Sequence, residues 1–433
     1  MAASNRRAFL RRAAGAAALG LVPPLAWARQ GTGTPKAPTR SLLQRFPNLR
    51  QHFIFEYYPW YGGPPSWEHW DYLDRRPPFD LAAPCVPRLG PYDVRSTSVL
   101  EQHARWIVEA GVGSIALSWW GRNSFEHRAA HTVMDVMKDH GIKVTFAMEP
   151  YTDDRGRRFR DDINFLLREF GEKRGYDCLL ILRNEDGAEG PIFKGFRCVL
   201  PREGTDCTGR TSLVADYTPD EVWREQIDGL RSDTRHDFNH VTLLADSLEF
   251  HRTPASGFDG IGIYDNFIPP ESYAPLAEGA SQAGLLFSFN VNPGYDQIEP
   301  RPAPPDPCYQ PRAFAPAPPQ PIDWSRPEER ERASSLSQER IASSFRGALA
   351  VQEDRGLTNA SRGFFAVYIN SFNEWHEGHA FEPMRDAADL LSEERPFSYH
   401  NPARGRARLE TLSGLMRGLL GPPPPDDGRA AAL

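Results

Sequence analysis

Basic residues are in deficit: 50 Lys and Arg stand against 57 Asp and Glu, a formal net charge of -7. A field of that sign repels phosphate backbones and anionic lipid, which excludes nucleic acid as a partner held by net charge. Past Val22 no uninterrupted apolar run approaches the ~20 residues that a bilayer-crossing helix needs, so no membrane span is expected in the mature chain. Cysteine is scarce and odd in number: Cys85, Cys178, Cys198, Cys207 and Cys308. Their spacings match no zinc pattern, and at least one thiol must stay unpaired. Cys198 and Cys207 could close a short loop in an oxidising compartment. All five read as structural. An Asp/Asn-rich calcium loop is also missing. His376, Glu377 and His379 lie close together, but these histidines are three apart, not the four of a zinc-binding His-Glu-x-x-His helix. Neither a metal nor a cofactor is expected.

The N-terminus is the one strongly basic and apolar stretch. Ser4-Asn5-Arg6-Arg7-Ala8-Phe9-Leu10 precedes an apolar run from Ala13 to Val22, and Ala26-Trp27-Ala28 follows. Charge, a run too short to span a bilayer and a small-x-small site together make an export leader. The paired arginines point to the bacterial twin-arginine pathway, and hence to a periplasmic or secreted protein cleaved after Ala28. Loss of residues 1–28 removes four arginines and no acids, taking the formal charge from -7 to -11. Residues 29–46 read as a disordered linker and 421–433, with four consecutive prolines, as a disordered tail. Residues 47–420 remain as one folded domain.

Within it, short runs rich in β-branched and aromatic residues alternate with longer amphipathic stretches, the pattern of parallel βα units. Strands are expected over His52–Trp60, Ser114–Trp120, Lys143–Glu149, Val241–Ser247, Phe258–Tyr264, Leu285–Asn290 and Phe364–Ser371, with a weaker one at Leu179–Leu182. Helices are expected over Ser98–Ala110, Ala129–His140, Asp161–Lys173, Glu271–Ala283, Ser335–Gln352 and Ala407–Leu420. About eight strands make an α/β fold, a single (β/α)8 TIM barrel with long loop insertions. Cys178–Tyr217 reads as an elaborated loop, and proline-dense Asn292–Pro327 as an irregular loop on the face where such barrels keep their sites.

The strand ends carry Tyr57-Tyr58-Pro59-Trp60-Tyr61, Ser118-Trp119-Trp120, Glu149-Pro150-Tyr151, Tyr264-Asp265-Asn266 and Asn373-Glu374-Trp375-His376-Glu377-Gly378. Barrel strand ends converge on one rim. Aromatic rings stack on sugar faces while carboxylates and amides bind hydroxyls, so the combination suits a carbohydrate cleft. Glycosidic cleavage needs one group to protonate the leaving oxygen and another to supply or generate a nucleophile. Glu374 and Glu377 are the candidate pair. Three residues apart, they share a face only if the chain turns helically after the strand, which Gly378 permits. Trp375 and His376 would limit water and help to keep one carboxyl protonated.

These stretches resemble glycoside hydrolase family 99, the endo-α-1,2-mannosidases and endo-α-1,2-mannanases. The resemblance rests on Tyr57-Tyr58-Pro59-Trp60-Tyr61-Gly62, Leu117-Ser118-Trp119, Val144-Thr145-Phe146, Glu149-Pro150-Tyr151, Gly257-Phe258-Asp259-Gly260-Ile261, Pro293-Gly294-Tyr295 and Ser371-Phe372-Asn373-Glu374-Trp375-His376-Glu377-Gly378, in family order. It implies a metal-free (β/α)8 enzyme that cuts inside an α-mannoside chain with retention, the sugar's own 2-hydroxyl attacking to give an epoxide-like intermediate. By resemblance Glu374 would take the 2-hydroxyl proton, and Glu377 would protonate the leaving oxygen and later activate water. Tyr58, Trp119, Glu149 and Tyr264 would contact the reacting sugar, with His69 in the first loop. Trp60, Trp120, Tyr151, Tyr295, Asn373, Trp375 and His376 complete the expected substrate-binding set. The expected partner is an α-mannan or mannosyl oligosaccharide. Three departures stand out: Glu299 in place of a family arginine, no tyrosine-bearing match within Pro191–Pro201, and His379-Ala380 where Thr-Gln is usual. Two other readings stay open, a glycosidase using Glu374 as direct nucleophile and a non-catalytic carbohydrate-binding protein.

Overall fold

A computed structural model describes residues 41–301, 305, 307–309 and 314–421. The expected leader, most of the linker and nearly all of the tail lie outside the described residues. The end of the linker is ordered: Leu42–Arg45 forms a short helix, and Leu42 and Phe46 are buried in the core.

Eight parallel strands form the centre: β1 (Phe53–Tyr57), β2 (Ser114–Trp119), β3 (Lys143–Met148), β4 (Glu189–Gly195), β5 (Thr242–Ala245), β6 (Gly260–Gly262), β7 (Leu286–Ser288) and β8 (Val367–Ile369). They pair in sequence from β1 to β7, and β1 also pairs with β8. Just past β7, the Val291 N–H donates to the Tyr368 carbonyl and the Asn370 N–H to the Val291 carbonyl, both at 2.9 Å, which closes the ring. Strands buried on both faces read as continuous apolar runs, and β1 and β2 are buried at every residue. Around the barrel lie α1 (Thr97–Glu109), α2 (Phe125–Asp139), α3 (Arg155–Leu166), α4 (Asp220–Thr234), the single turn α5 (Arg252–Ala255), α6 (Tyr273–Gln282), α7 (Pro327–Glu353) and α8 (Ala407–Leu420), one after each strand.

The fourth strand is not where the sequence pattern put it. Ile181–Arg183 runs antiparallel to β4 and stays off the ring, and β4 lies inside the stretch read as a loop. Close packing explains the missing signature. A side chain at Gly190 would meet the His240 carbonyl oxygen at 1.8 Å, and one at Gly195 would meet Cys198 Sγ at 2.5 Å. Glycines required by such contacts erase the β-branched pattern. Helix α4 was also not expected, although Asp220 and Glu221 favour its N-terminus and Trp223, Ile227 and Leu230 form its buried stripe.

The cysteine pairing differs as well. Cys207 joins Cys308, 101 residues on, and Cys198 is a buried free thiol whose ionisation burial pushes up to about 11. Cys198 packs under the end of β4. Cys207 lies in the turn of an exposed hairpin, Glu203–Thr205 with Thr211–Leu213, which the disulfide ties to the loop after β7.

Candidate active site

After β8 the chain reaches Glu374 and turns through Trp375–Gly378. The Glu374 N–H donates to Ser371 Oγ, and its carboxylate accepts the His376 N–H, both at 2.8 Å. This bends the chain back on itself, so Glu374 and Glu377 stand one turn apart. Gly378 is left-handed (φ 65), and a side chain there would lie 2.4 Å from the Asp296 carbonyl oxygen. The loop after β7 holds the turn from outside. Asp296 N–H donates to the Glu377 carbonyl and Ile298 N–H to that of His376, both at 2.9 Å.

The two carboxyls have opposite proton affinities. Burial, at 2% exposure, and the Glu377 charge hold Glu374 well above the usual carboxylate range. Glu377 keeps 31% of its side chain exposed. Burial pushes it up, but His379, Tyr264 and Tyr295 outweigh that and leave it below its ordinary value. Tyr264 Oη donates to Oε2 at 2.5 Å, His379 Nε2 lies 3.0 Å from the same oxygen, and Tyr295 Oη donates to Oε1 at 3.2 Å. Two adjoining acids of unequal affinity are the equipment of acid–base cleavage.

Aromatic and polar groups flank the pair. Trp60 stacks on His69 with centroids 4.6 Å apart, and His376 lies parallel to both. Its Nε2 lies 3.0 Å from the His69 carbonyl, and burial pushes its ionisation down to about 4. Trp120, half-buried, donates to Ser118 Oγ at 3.1 Å, and Ser118 Oγ donates to Glu149 at 2.8 Å. Burial raises Glu149 to about 8; the Ser118 bond opposes this and the Glu56 charge adds to it. Tyr58 Oη donates to Glu56 at 3.0 Å, and Glu56 pairs with Lys194.

Four residues of the expected binding set are tied into the scaffold. Trp119 and Trp375 are fully buried; Trp119 Nε1 donates to His127 and Trp375 Nε1 to Glu382. Tyr151 donates to Asp162 on α3. Asn373 spends its amide on the Tyr58 backbone, its Oδ1 accepting the N–H at 2.8 Å and its Nδ2 donating to the carbonyl at 2.9 Å. An aromatic residue next to a strand end has two sides to face, and sequence alone does not choose between them.

Sequence reasoning missed Glu56, Lys194, Asp246 and His379. Glu56 is a charged residue inside an expected strand, a signal that could have been read, whereas Lys194 lies in β4, inside the stretch read as a loop. Asp246, just past β5, accepts the Tyr264 N–H at 3.0 Å, and burial raises its ionisation. Among the described residues, no group of three or more His, Cys, Asp or Glu is placed to hold a metal ion.

Known proteins resemble this chain in sequence and in fold. Residues 48–178 match the model of Glycosyl hydrolase family 99. The glycoprotein endo-alpha-1,2-mannosidase of Mus musculus is 25% identical over 413 residues, covering 87% of this chain and 78% of that protein. That of Xenopus laevis is 25% identical over 386 residues, 81% of this chain and 75% of that protein. The GH99 endo-alpha-mannosidase from Bacteroides thetaiotaomicron superposes with a TM-score of 0.57 at 19% identity, over 85% of this chain and 98% of that one. That likeness is one of fold, the (β/α)8 barrel. The chain is thus similar over residues 48–178 to the family 99 glycoside hydrolases.

Proposed function

We propose that this relative of the family 99 glycoside hydrolases is an exported, metal-independent, retaining endo-α-mannosidase acting on α-1,2-mannose-containing glycans. The observation that carries the reading is the pairing of buried Glu374 with half-exposed Glu377 across one turn, the two held at opposite proton affinities. The relatives named above support mannose as the sugar.

In the first step the 2-hydroxyl oxygen attacks C1 as Glu374 takes its proton, and the leaving oxygen departs with the proton of Glu377. Water then attacks C1, giving its proton to Glu377, while the C1–O2 bond opens and O2 recovers the proton from Glu374. Two inversions at C1 give net retention, and only a 2-hydroxyl trans to the scissile bond can attack, as in α-mannose. Without substrate the proton of the pair rests on Glu374. Binding reverses this: a 2-hydroxyl donating to Glu374 favours its anion, and a glycosidic oxygen, which only accepts, favours the acid form of Glu377. Trp60, His69 and His376 form the aromatic wall, and Tyr58, Glu149 and Tyr264 supply polar contacts to the reacting sugar.

The test is release of new reducing ends from α-mannans and mannosyl oligosaccharides. Glu377→Gln abolishes cleavage of natural linkages, and Glu374→Gln abolishes it even with activated leaving groups. Activity within about tenfold of wild type for either variant overturns the assignment. Recovery of a covalent glycosyl–Glu374 adduct replaces the 2-hydroxyl route with direct nucleophilic attack.

A further inference from the structure

His379 lies two residues past Glu377 and is fully buried, yet the mechanism gives it no part. Its Nε2 lies 3.0 Å from Glu377 Oε2 and 3.2 Å from Tyr264 Oη, and its Nδ1 lies 3.0 Å from Ser371 Oγ. Its neighbours set which nitrogen carries the hydrogen. Ser371 Oγ already accepts the Glu374 N–H. The Glu377 carboxylate only accepts, so Nε2 carries a hydrogen toward it, and the Ser371 hydroxyl proton is free to go to His379 Nδ1. A neutral imidazole with a bare Nδ1 carries its hydrogen on Nε2, aimed at Glu377. Ser371 thus touches both acids, one through the Glu374 backbone and the other through the histidine ring.

Other groups face the pair from every side. Tyr264 follows β6, Tyr295 lies in the loop after β7, Glu149 follows β3, and Glu56 and Tyr58 come from β1 with Lys194 of β4 behind them. Burial holds the Tyr58 and Tyr264 phenols well above their ordinary value. His376, the nearer histidine in sequence, gives its ring nitrogen to the His69 carbonyl.

We infer that His379, locked by Ser371 as an Nε2–H donor, is a positioning residue that sets the proton affinity of Glu377 and so the acid limit of turnover. The inference rests on the acid–base roles proposed above. Cleavage needs one proton on the pair. Below the lower ionisation both acids are protonated, no base remains and activity falls. A donor to the Glu377 anion holds that lower ionisation down, so its removal moves the acid limb toward neutral pH. The Nε2–H also keeps Oε2 turned toward Tyr264, leaving Oε1 beside Tyr295 for the reacting atoms.

The experiment compares His379→Leu, which has no donor, with His379→Gln, which keeps an amide N–H. The kcat/KM–pH profile is measured with whichever α-mannoside the wild type cleaves. The acid limb rises by about one pH unit in the leucine variant and stays near wild type in the glutamine variant. Equal limbs in all three proteins, or equal shifts in both variants, overturn the inference. Ser371→Ala is the second route should the leucine variant fail to fold; it frees Nδ1 and moves the limb in the same direction. In parallel, the Glu377 carboxyl is titrated by carbon-13 NMR in the Glu374→Gln background, with and without His379→Leu. That readout needs no substrate. A raised carboxyl ionisation without cleavage of any mannoside sustains the relay and overturns the functional reading, whereas cleavage with an unmoved ionisation does the reverse.

Discussion

Lys194 of β4 and Glu56 of β1 form an ion pair inside the barrel, both nearly fully buried, although their strands are not neighbours in the ring. The Tyr58 hydroxyl donates to the free oxygen of Glu56, and the lysine ammonium lies 4.9 Å from the centre of the Tyr368 ring. The pair lies beneath the acid-bearing rim and compensates charge where water does not reach.

Breaking such a pair costs more than replacing it, because the remaining ion is stranded in a desolvated site. Lys194→Met is expected to lose ~3–5 kcal/mol, and the double change Glu56→Leu with Lys194→Met to recover most of that. Urea denaturation of the two variants decides it. A double variant as unstable as the single one would show that the pair contributes more than mutual neutralisation.

Glu149 makes stability depend on pH. In the folded protein burial raises its ionisation to about 8, from the ordinary 4.5. The fold therefore binds more protons than the unfolded chain between those values, and stability falls as pH rises through them. This contribution is full below about pH 4.5 and gone above about pH 8. Denaturant midpoints of wild type and Glu149→Gln are expected to lie close together at the acid end of the window and to separate at the alkaline end, where the glutamine variant is the more stable. A difference that stays constant with pH would mean that Glu149 ionises normally.

At Gly378 the backbone is left-handed and the Asp296 carbonyl closes off the place of a side chain. Gly378→Ala is expected to cost about 1–3 kcal/mol and to lower turnover as well, because the same turn positions Glu377. Thermal melts and kcat measured side by side test this. Loss of stability with unchanged kcat would separate the turn from the chemistry.

Most of the barrel was legible because β1, β2 and β3 are short runs dominated by apolar residues, the composition of strands buried on both faces. The exception, β4, shows the limit of that signal. Gly190 and Gly195 are set by the His240 carbonyl and Cys198 sulfur, which come from elsewhere in the chain. The disulfide follows the same logic: Cys198 and Cys207 are close in sequence, but Cys198 is packed beneath β4, and Cys207 meets Cys308 across the loops.

The sequence by itself determined the acid pair, its spacing, the glycine that lets the chain turn after it and the parallel βα order that puts strand ends on one rim. These are local properties of periodicity and backbone freedom. Only the tertiary structure decided which carboxyl keeps the proton, because that depends on burial and on donors from the ends of other strands. It also decided where the rings lie: Trp60 and His69 stack beside His376, while Trp119 and Trp375 turn into the core. A side chain's neighbours are fixed by how the whole barrel closes, and no stretch of sequence contains that closure.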